Sequence, residues 1–377
     1  MIDRPVYLNR LDKALTRNPI AMLVGPRQVG NSTLAELYSS GREATRFDLE
    51  HPTSRQLLEQ PLTALEPLRG LVIIDEAQRA PQLFPVLRVL ADRKDTPARF
   101  LLLGSASPEL SRQSNESLAG RVEVIEVHGF STAEVGDPPE HLWLRGGFPR
   151  SYLAANEEDS MNWREQFIRS FLERDLGLLG FGYGAPAMGR FWAMLAHYHG
   201  QIWNASEIAA AMGVSPKTVN RYLDALEQTY MVRRLMPWYE NLGKRLVKSP
   251  KIYLRDTGIL HAYHHLRSTH DLIHHPKLGA SWEGFVIEQL LTLLPSVTPY
   301  FYHVHSGSEL DLFYQHKGKR IGVEIKREDA PRLTRGMHVA LADLRLDELW
   351  VIYPGARRYP LNDRTTALPF AELGSLA

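Results

Sequence analysis

The chain has 377 residues, 44% hydrophobic and 23% charged, with 27 glycines and 24 prolines dispersed along it, a composition that excludes a mainly disordered polymer. Its 44 basic and 43 acidic residues leave a net charge of +1, so no global field draws it to nucleic acid or membrane, and such contacts need local patches. With no cysteine, disulfides, thiol catalysis and thiolate metal sites are also excluded.

At roughly 100 to 200 residues per domain the length predicts two to four domains. The first residues carry charges where a secretory leader needs an apolar run, and no stretch approaches roughly 18 apolar residues. A cytoplasmic protein without a membrane contact is expected.

In chain order, short apolar runs alternate with helical patterns through the first third: IAMLVG (20 to 25), TRFDLE (45 to 50), LVIIDEAQ (71 to 78) and RFLLLGSAS (99 to 107). Such alternation predicts a buried parallel sheet flanked by helices. A further strand is expected at VEVIEVHGF (122 to 130), followed by a small helical lid that carries GGFP (146 to 149). Next, Asn204 with Glu207 starts one short helix, Gly213 breaks it, and Ser215 with Pro216 starts another. This spacing reads as a helix-turn-helix, and the stretch from about 231 to 256 reads as a two-stranded wing. After about 270 a helix, a strand pair around ELDLFY and RIGVEIKRE, a helix and the strand ELWVIYP predict a second α/β unit.

The first apolar strand runs into GPRQVGNST, so Gly25, Gly30 and Ser32 take the places of G-x-x-x-x-G-K-[ST]. Backbone N-H groups of such a loop, at a helix N-terminus, suit phosphate. The lysine position holds Asn31. Two companions support a phosphate site over an ordinary strand-to-helix turn. Leu71 to Ile74 lead into Asp75 and Glu76, the arrangement that holds Mg²⁺ and orients water, and LLLGSAS ends another strand with Ser105. Losing the lysine removes a charge-assisted contact worth roughly 1.5 to 3 kcal/mol. Hydrolysis should suffer more than binding, because lysine also counters charge developing in phosphoryl transfer.

Taken together, GPRQVG, DLE (48 to 50), LVIIDEAQ, LLLGSAS, SLAGRVEV (117 to 124), GGFPR, ERDL (173 to 176) and GVEIK resemble the bacterial and archaeal AAA+ P-loop ATPases that carry a C-terminal domain similar to restriction endonucleases. The resemblance covers nearly the whole chain. It implies ATP and Mg²⁺, with Gly25, Pro26, Arg27, Gln28, Val29, Gly30, Asn31, Ser32 and Thr33 around the nucleotide and Ser32 and Asp75 beside the metal. It makes Asp75 the metal-side acid, Glu76 the general base and Ser105 the sensor. Arg121 becomes an arginine finger reaching a neighbouring copy, hence a homo-oligomer, expected as a ring. An ordinary salt-bridge arginine is the competing reading of Arg121.

In the second helix of the helix-turn-helix, Val219, Tyr222, Leu223 and Leu226 recur at helical spacing and face a core, which turns Lys217, Thr218, Asn220 and Arg221 outward. Nine Lys or Arg stand against three acids between Lys217 and Arg255. DNA contact through Lys217, Thr218, Arg221, Lys244, Arg245 and Lys248 is expected, with a protein-contact face as the alternative. In the last unit, Asp311 precedes Glu324 and Lys326 by thirteen and fifteen residues. Glu324 and Lys326 share a strand face, and Glu283 lies on the preceding helix. The spacing resembles the restriction-endonuclease superfamily, which implies Mg²⁺-dependent cleavage, or a degenerate core that binds without cutting. The paired histidines near 264, 274 and 303 lack acids at metal spacing and carry no zinc expectation.

The expected architecture is α/β: an AAA+ P-loop NTPase core (1–135) with helical lid (136–190), a winged helix (191–262), and a PD-(D/E)xK nuclease-like domain (263–377). The expected function is an oligomeric, ATP-driven motor or remodeller on DNA, at branched or damaged sites, with hydrolysis impaired by Asn31. The alternatives are an ATP-regulated nuclease and a nucleotide-switched binding protein.

Overall fold

The computed structural model describes residues 2–94, 98–105, 116–178, 181–239, 247–304 and 307–376. They form two compact units, one made of residues 1–130, 170–183 and 228–230, the other of 131–169, 184–227 and 231–377. Among the described residues no helix is long and apolar enough to cross a membrane.

The first unit begins with α1 (Pro5–Arg17) and continues through β1 (Ile20–Gly25), α2 (Asn31–Ser39), β2 (Ala44–Asp48), β3 (Gly70–Asp75), α3 (Leu83–Ala91), β4 (Ala98–Ser105) and β5 (Val122–Glu126). The strands form one sheet in the order β2-β3-β4-β1-β5, and every pairing is parallel. Successive side chains of a strand point to opposite faces. Met22, Val24, Val72, Ile74, Phe100 and Leu102 accordingly fill one core, while Ala21, Leu23, Ile73, Leu101 and Leu103 fill the other. This double burial explains why the strands read as unbroken apolar runs. β5 stops at Glu126, short of the strand expected to residue 130. In such sheets ligands sit beyond the carboxyl ends of adjacent strands whose connections leave in opposite directions. Here those are β1, which leads to β2, and β4, which leads to β5 on the far side of β1.

The second unit contains α4 (Pro139–Arg145), α5 (Glu157–Ser170), α6 (Ala185–His197), β6 (Gln201–Ile202), α7 (Ala205–Met212), α8 (Pro216–Gln228), β7 (Val232–Pro237) and β8 (Lys251–Leu254). It continues with α9 (Thr257–Tyr263), α10 (Leu278–Leu293), β9 (Tyr300–His303), β10 (Glu309–His316), β11 (Lys319–Ile325), α11 (Arg335–Asp343), β12 (Glu348–Tyr353), β13 (Tyr359–Asn362) and β14 (Thr365–Pro369). Asn204 caps α7 through Ser206 N, and Gly213 ends that helix with φ 68°, the left-handed conformation glycine adopts without strain. Val219, Tyr222, Leu223 and Leu226 of α8 are buried as their spacing requires.

β7 and β8 pair antiparallel, and β7 also pairs parallel with β9 through Met236 and Pro237. One nine-stranded sheet, β13-β14-β12-β11-β10-β9-β7-β8-β6, therefore runs across residue 262, where a boundary was expected. The segment expected as a lid is likewise shared, because residues 170–183 belong to the first unit. Hydrophobic periodicity reports which face of an element is buried but not which partner covers it.

Candidate functional site

The turn after β1 is forced by packing. A Cβ on Gly25 would lie 2.4 Å from the carbonyl oxygen of Val127, Gly30 has φ 100°, and Gln28 has φ 64°. Val29 is buried, and Val29 N donates to Pro26 O at 3.4 Å, closing the loop. α2 then begins at Asn31, and the first N-H groups of a helix have no partner within it. The loop thus presents backbone donors and a favourable dipole to an anion.

Ser32 Oγ donates to Asp75 Oδ2 at 2.9 Å, and Arg46 Nη2 donates to the same oxygen at 2.8 Å. Asp75 Oδ1 accepts from Glu76 N at 3.1 Å. Glu76 holds the left-handed backbone conformation, φ 54°, an uncommon state for a non-glycine residue that is informative when it occurs. Its Oε2 accepts from Gln78 Nε2. Burial pushes the Glu76 carboxyl above the ordinary carboxylate range; Arg27 opposes this, while Asp75 and Glu50 reinforce it.

Ser105 ends β4 in register with Gly25. Asn31 Nδ2 donates to Gly104 O at 3.4 Å, and Asn31 Oδ1 is buried without a hydrogen-bond partner. An ammonium would offer three donors here; the amide directs one toward a backbone carbonyl and adds an acceptor. The expected set Gly25 to Thr33, Asp75, Glu76 and Ser105 is thus gathered at the ends of β1, β3 and β4, and it suits a phosphate chain except at Asn31. Arg121 instead grips Asp92 through two bonds, with Nη2 to Oδ2 at 2.8 Å. A finger role requires that pair to open.

Two residues of this site were not singled out from the sequence. Arg46 sits in TRFDLE, where its position on a strand gives no hint of its partner across to β3. Asp175, in ERDL, is fully buried, and its Oδ1 accepts from Arg27 Nη1 at 2.8 Å and Arg174 Nε at 3.0 Å. The motif was visible, but pairing over 148 positions is not.

In the second unit, Lys217, Arg221 and Lys248 are exposed and Thr218 is half-buried. Lys244 and Arg245 lie outside the described residues. The basic stretch is less available than its count implied. Arg233 and Arg255 pair with Glu288, Arg234 pairs with Asp224 and Glu227, and Lys251 is buried.

The expected nuclease-like residues do converge. Asp311 Oδ2 accepts from Ile325 N at 2.8 Å, and Lys326 Nζ lies 2.6 Å from Glu324 Oε1. Glu283 faces Lys251, whose Nζ lies 3.0 Å from its Oε1 and 3.9 Å from Asp311 Oδ1, and also contacts Glu309. Burial raises Asp311 well above its ordinary range, and Glu324 and Glu283 add to it. Burial alone would raise Glu309, yet its bond with His303 and the Lys251 ammonium bring it down to about 2. Lys251 and Glu309 were not singled out, because Lys251 reads as one more wing cation.

Residues 17–136 match the family model of an AAA domain, and residues 138–270 and 278–373 match two domains of unknown function, DUF8612 and DUF4143. The uncharacterized proteins Mb2031c of Mycobacterium bovis and Rv2008c of Mycobacterium tuberculosis are each 49% identical over 370 residues, covering 98% of this chain and 84% of the relative. A Walker-type ATPase of Pyrococcus abyssi superposes with a TM-score of 0.51 at 15% identity, over 70% of this chain and 96% of that one.

Proposed function

This chain belongs to the AAA-domain ATPase family of those mycobacterial relatives and binds ATP, and from that premise we propose that it acts on DNA as an oligomeric motor or remodeller with slowed hydrolysis. The observation that supports the reading is the meeting of Ser32 and Asp75, 2.9 Å apart, beside the glycine turn. In the proposal the N-H groups of the loop and of the start of α2 bind the phosphates. Ser32 and Asp75 would hold a Mg²⁺ whose charge offsets that on the β and γ phosphates. Glu76 takes the proton of the attacking water, with a carboxyl pushed upward toward the working pH of a base. Ser105 polarises that water or the γ-phosphate from the end of β4. Arg121 reaches the nucleotide of a neighbouring copy in a ring after leaving Asp92. Lys217, Thr218, Arg221 and Lys248, with Lys244 and Arg245, contact DNA phosphates, which makes the binding salt-dependent. A cytoplasmic location suits this role.

A second reading, a nucleotide-switched binding protein without turnover, is favoured by Asn31, whose amide donates to Gly104 O rather than offering a positive charge. Binding of the whole chain to single-stranded, duplex and four-way-junction DNA, with and without ATP and across salt, separates the two. The remodeller requires salt-sensitive DNA binding that changes with ATP, and its absence with intact ATP binding leaves the switch.

A further inference from the structure

An enzyme that hydrolyses with a metal keeps an open coordination position among its carboxylates. The second unit has the carboxylates for such a centre, Glu283 on α10, Asp311 on β10 and Glu324 on β11. It also brings a resident cation to them. Lys251, the first residue of β8, is only 4% exposed. Its ammonium bonds Glu283 Oε1 at 3.0 Å, contacts Glu309 and stands 3.9 Å from Asp311 Oδ1. Further partners hold one oxygen of each carboxylate. Tyr253 Oη donates to the same Glu283 Oε1, His303 faces Glu309 Oε2 at 3.3 Å, Asp311 Oδ2 accepts from Ile325 N and Glu324 Oε1 is held by Lys326, while Glu324 Oε2 is buried without a hydrogen-bond partner. Among the described residues no group of three or more His, Asp or Glu is arranged to hold a metal ion. The residues present therefore do not fit the divalent ion that a nuclease-like core implies.

We propose that Lys251 takes the metal's place: its ammonium is the built-in counter-charge of this acidic cluster, which makes the cluster a metal-independent structural centre and not a DNA-cutting site. The placement is specific. Lys251 comes from the hairpin of β7 and β8, while its partners come from α10 and β10, so the ammonium ties the hairpin to the strands beyond it in the common sheet. Glu309 and Tyr253 act with it as positioning residues. Removing one member of a buried ion pair leaves the others uncompensated and is costly, so a cation of some kind is required there.

The test uses the full chain carrying Asp75→Asn, which suppresses metal binding at the nucleotide site, without nucleotide. Mn²⁺ binding is followed by electron paramagnetic resonance, and nicking of supercoiled plasmid is assayed with Mg²⁺ and Mn²⁺. The expected result is no Mn²⁺ bound through the cluster and no nicking. Lys251→Ala should acquire one Mn²⁺ per chain, lost again on adding Glu283→Gln. Mn²⁺ that binds with Lys251 present and disappears in Asp311→Asn would overturn the proposal. So would metal-dependent nicking that Glu324→Ala abolishes, or a folded Lys251→Ala that gains no Mn²⁺. If Lys251→Ala does not fold, the arms with Lys251 intact decide alone.

Discussion

The Arg46 guanidinium and Asp75 are joined at 2.8 Å through the same Oδ2 that Ser32 bonds. Arg46 is about one-third exposed on its side chain, at 35%, so the pair is worth on the order of 0.2 to 1 kcal/mol. If Asp75 holds Mg²⁺, Arg46 competes with it for that oxygen. Arg46→Ala should then lower the Mg²⁺ concentration that half-saturates binding of a fluorescent ATP analogue, by up to about fivefold. Weaker binding in the variant would instead make Arg46 a phosphate ligand.

Asn31 is the departure that decides turnover. Asn31→Lys restores a cation where Asn31 Oδ1 is now buried without a partner, and a charge-assisted contact of roughly 1.5 to 3 kcal/mol is about 10- to 100-fold in affinity. Steady-state hydrolysis and equilibrium ATP binding should both rise, hydrolysis by the larger factor. Unchanged turnover with tighter binding would show that another group limits the chemistry.

The parallel sheet and its glycine turn were legible because each strand buries both faces, which leaves continuous apolar runs, and because Gly25 and Gly30 meet local backbone demands. The inward face of α8 was legible for the same reason: Val219, Tyr222, Leu223 and Leu226 repeat with the helix. Pairings between distant segments were not. Nothing in TRFDLE points Arg46 at Asp75, nothing local to Asp175 reveals Arg27, and Lys251 in KSPKIYLRD looks like its exposed neighbour Lys248. Periodicity is a property of one element, whereas these contacts depend on the register between elements. The continuity of the sheet from β7 into β9 was hidden in the same way.

Two histidines of the second unit make its stability fall in mild acid. His199 accepts from Leu254 N at 3.0 Å and its Nε2 lies 3.1 Å from Ala280 O. His261 lies between Leu144 O and Ser281 Oγ, at 3.1 and 2.7 Å. Both are fully enclosed and neutral, and burial lowers each to about 3, against about 6.5 in the unfolded chain. A depressed folded value means stability present above the unfolded value and lost as pH falls toward the folded one. On unfolding these two rings take up two protons, a contribution to the slope of at most about 2.7 kcal/mol per pH unit, and His264, which burial lowers to about 4, adds to it. Urea midpoints measured from pH 6.5 to 5 should drop, and His199→Gln or His261→Gln should each reduce the slope by up to about 1.4 kcal/mol per pH unit. A flat profile would show that these rings gain no proton on unfolding.

The Glu76 carboxyl gives the nucleotide site its own pH signature. Burial raises it, and the bond from Gln78 is one of the influences that hold it down. A base must be deprotonated to act, so turnover of the Asn31→Lys form should climb with pH along a limb set above the ordinary carboxylate value of about 4.3. Gln78→Ala removes a hydrogen bond that favours the charged form, which moves the limb to higher pH, while the plateau rate is kept or increased because Glu76 is released. Glu76→Gln should abolish the limb along with turnover. A limb that stays in place in Gln78→Ala would assign the titration to another group and take the base role from Glu76.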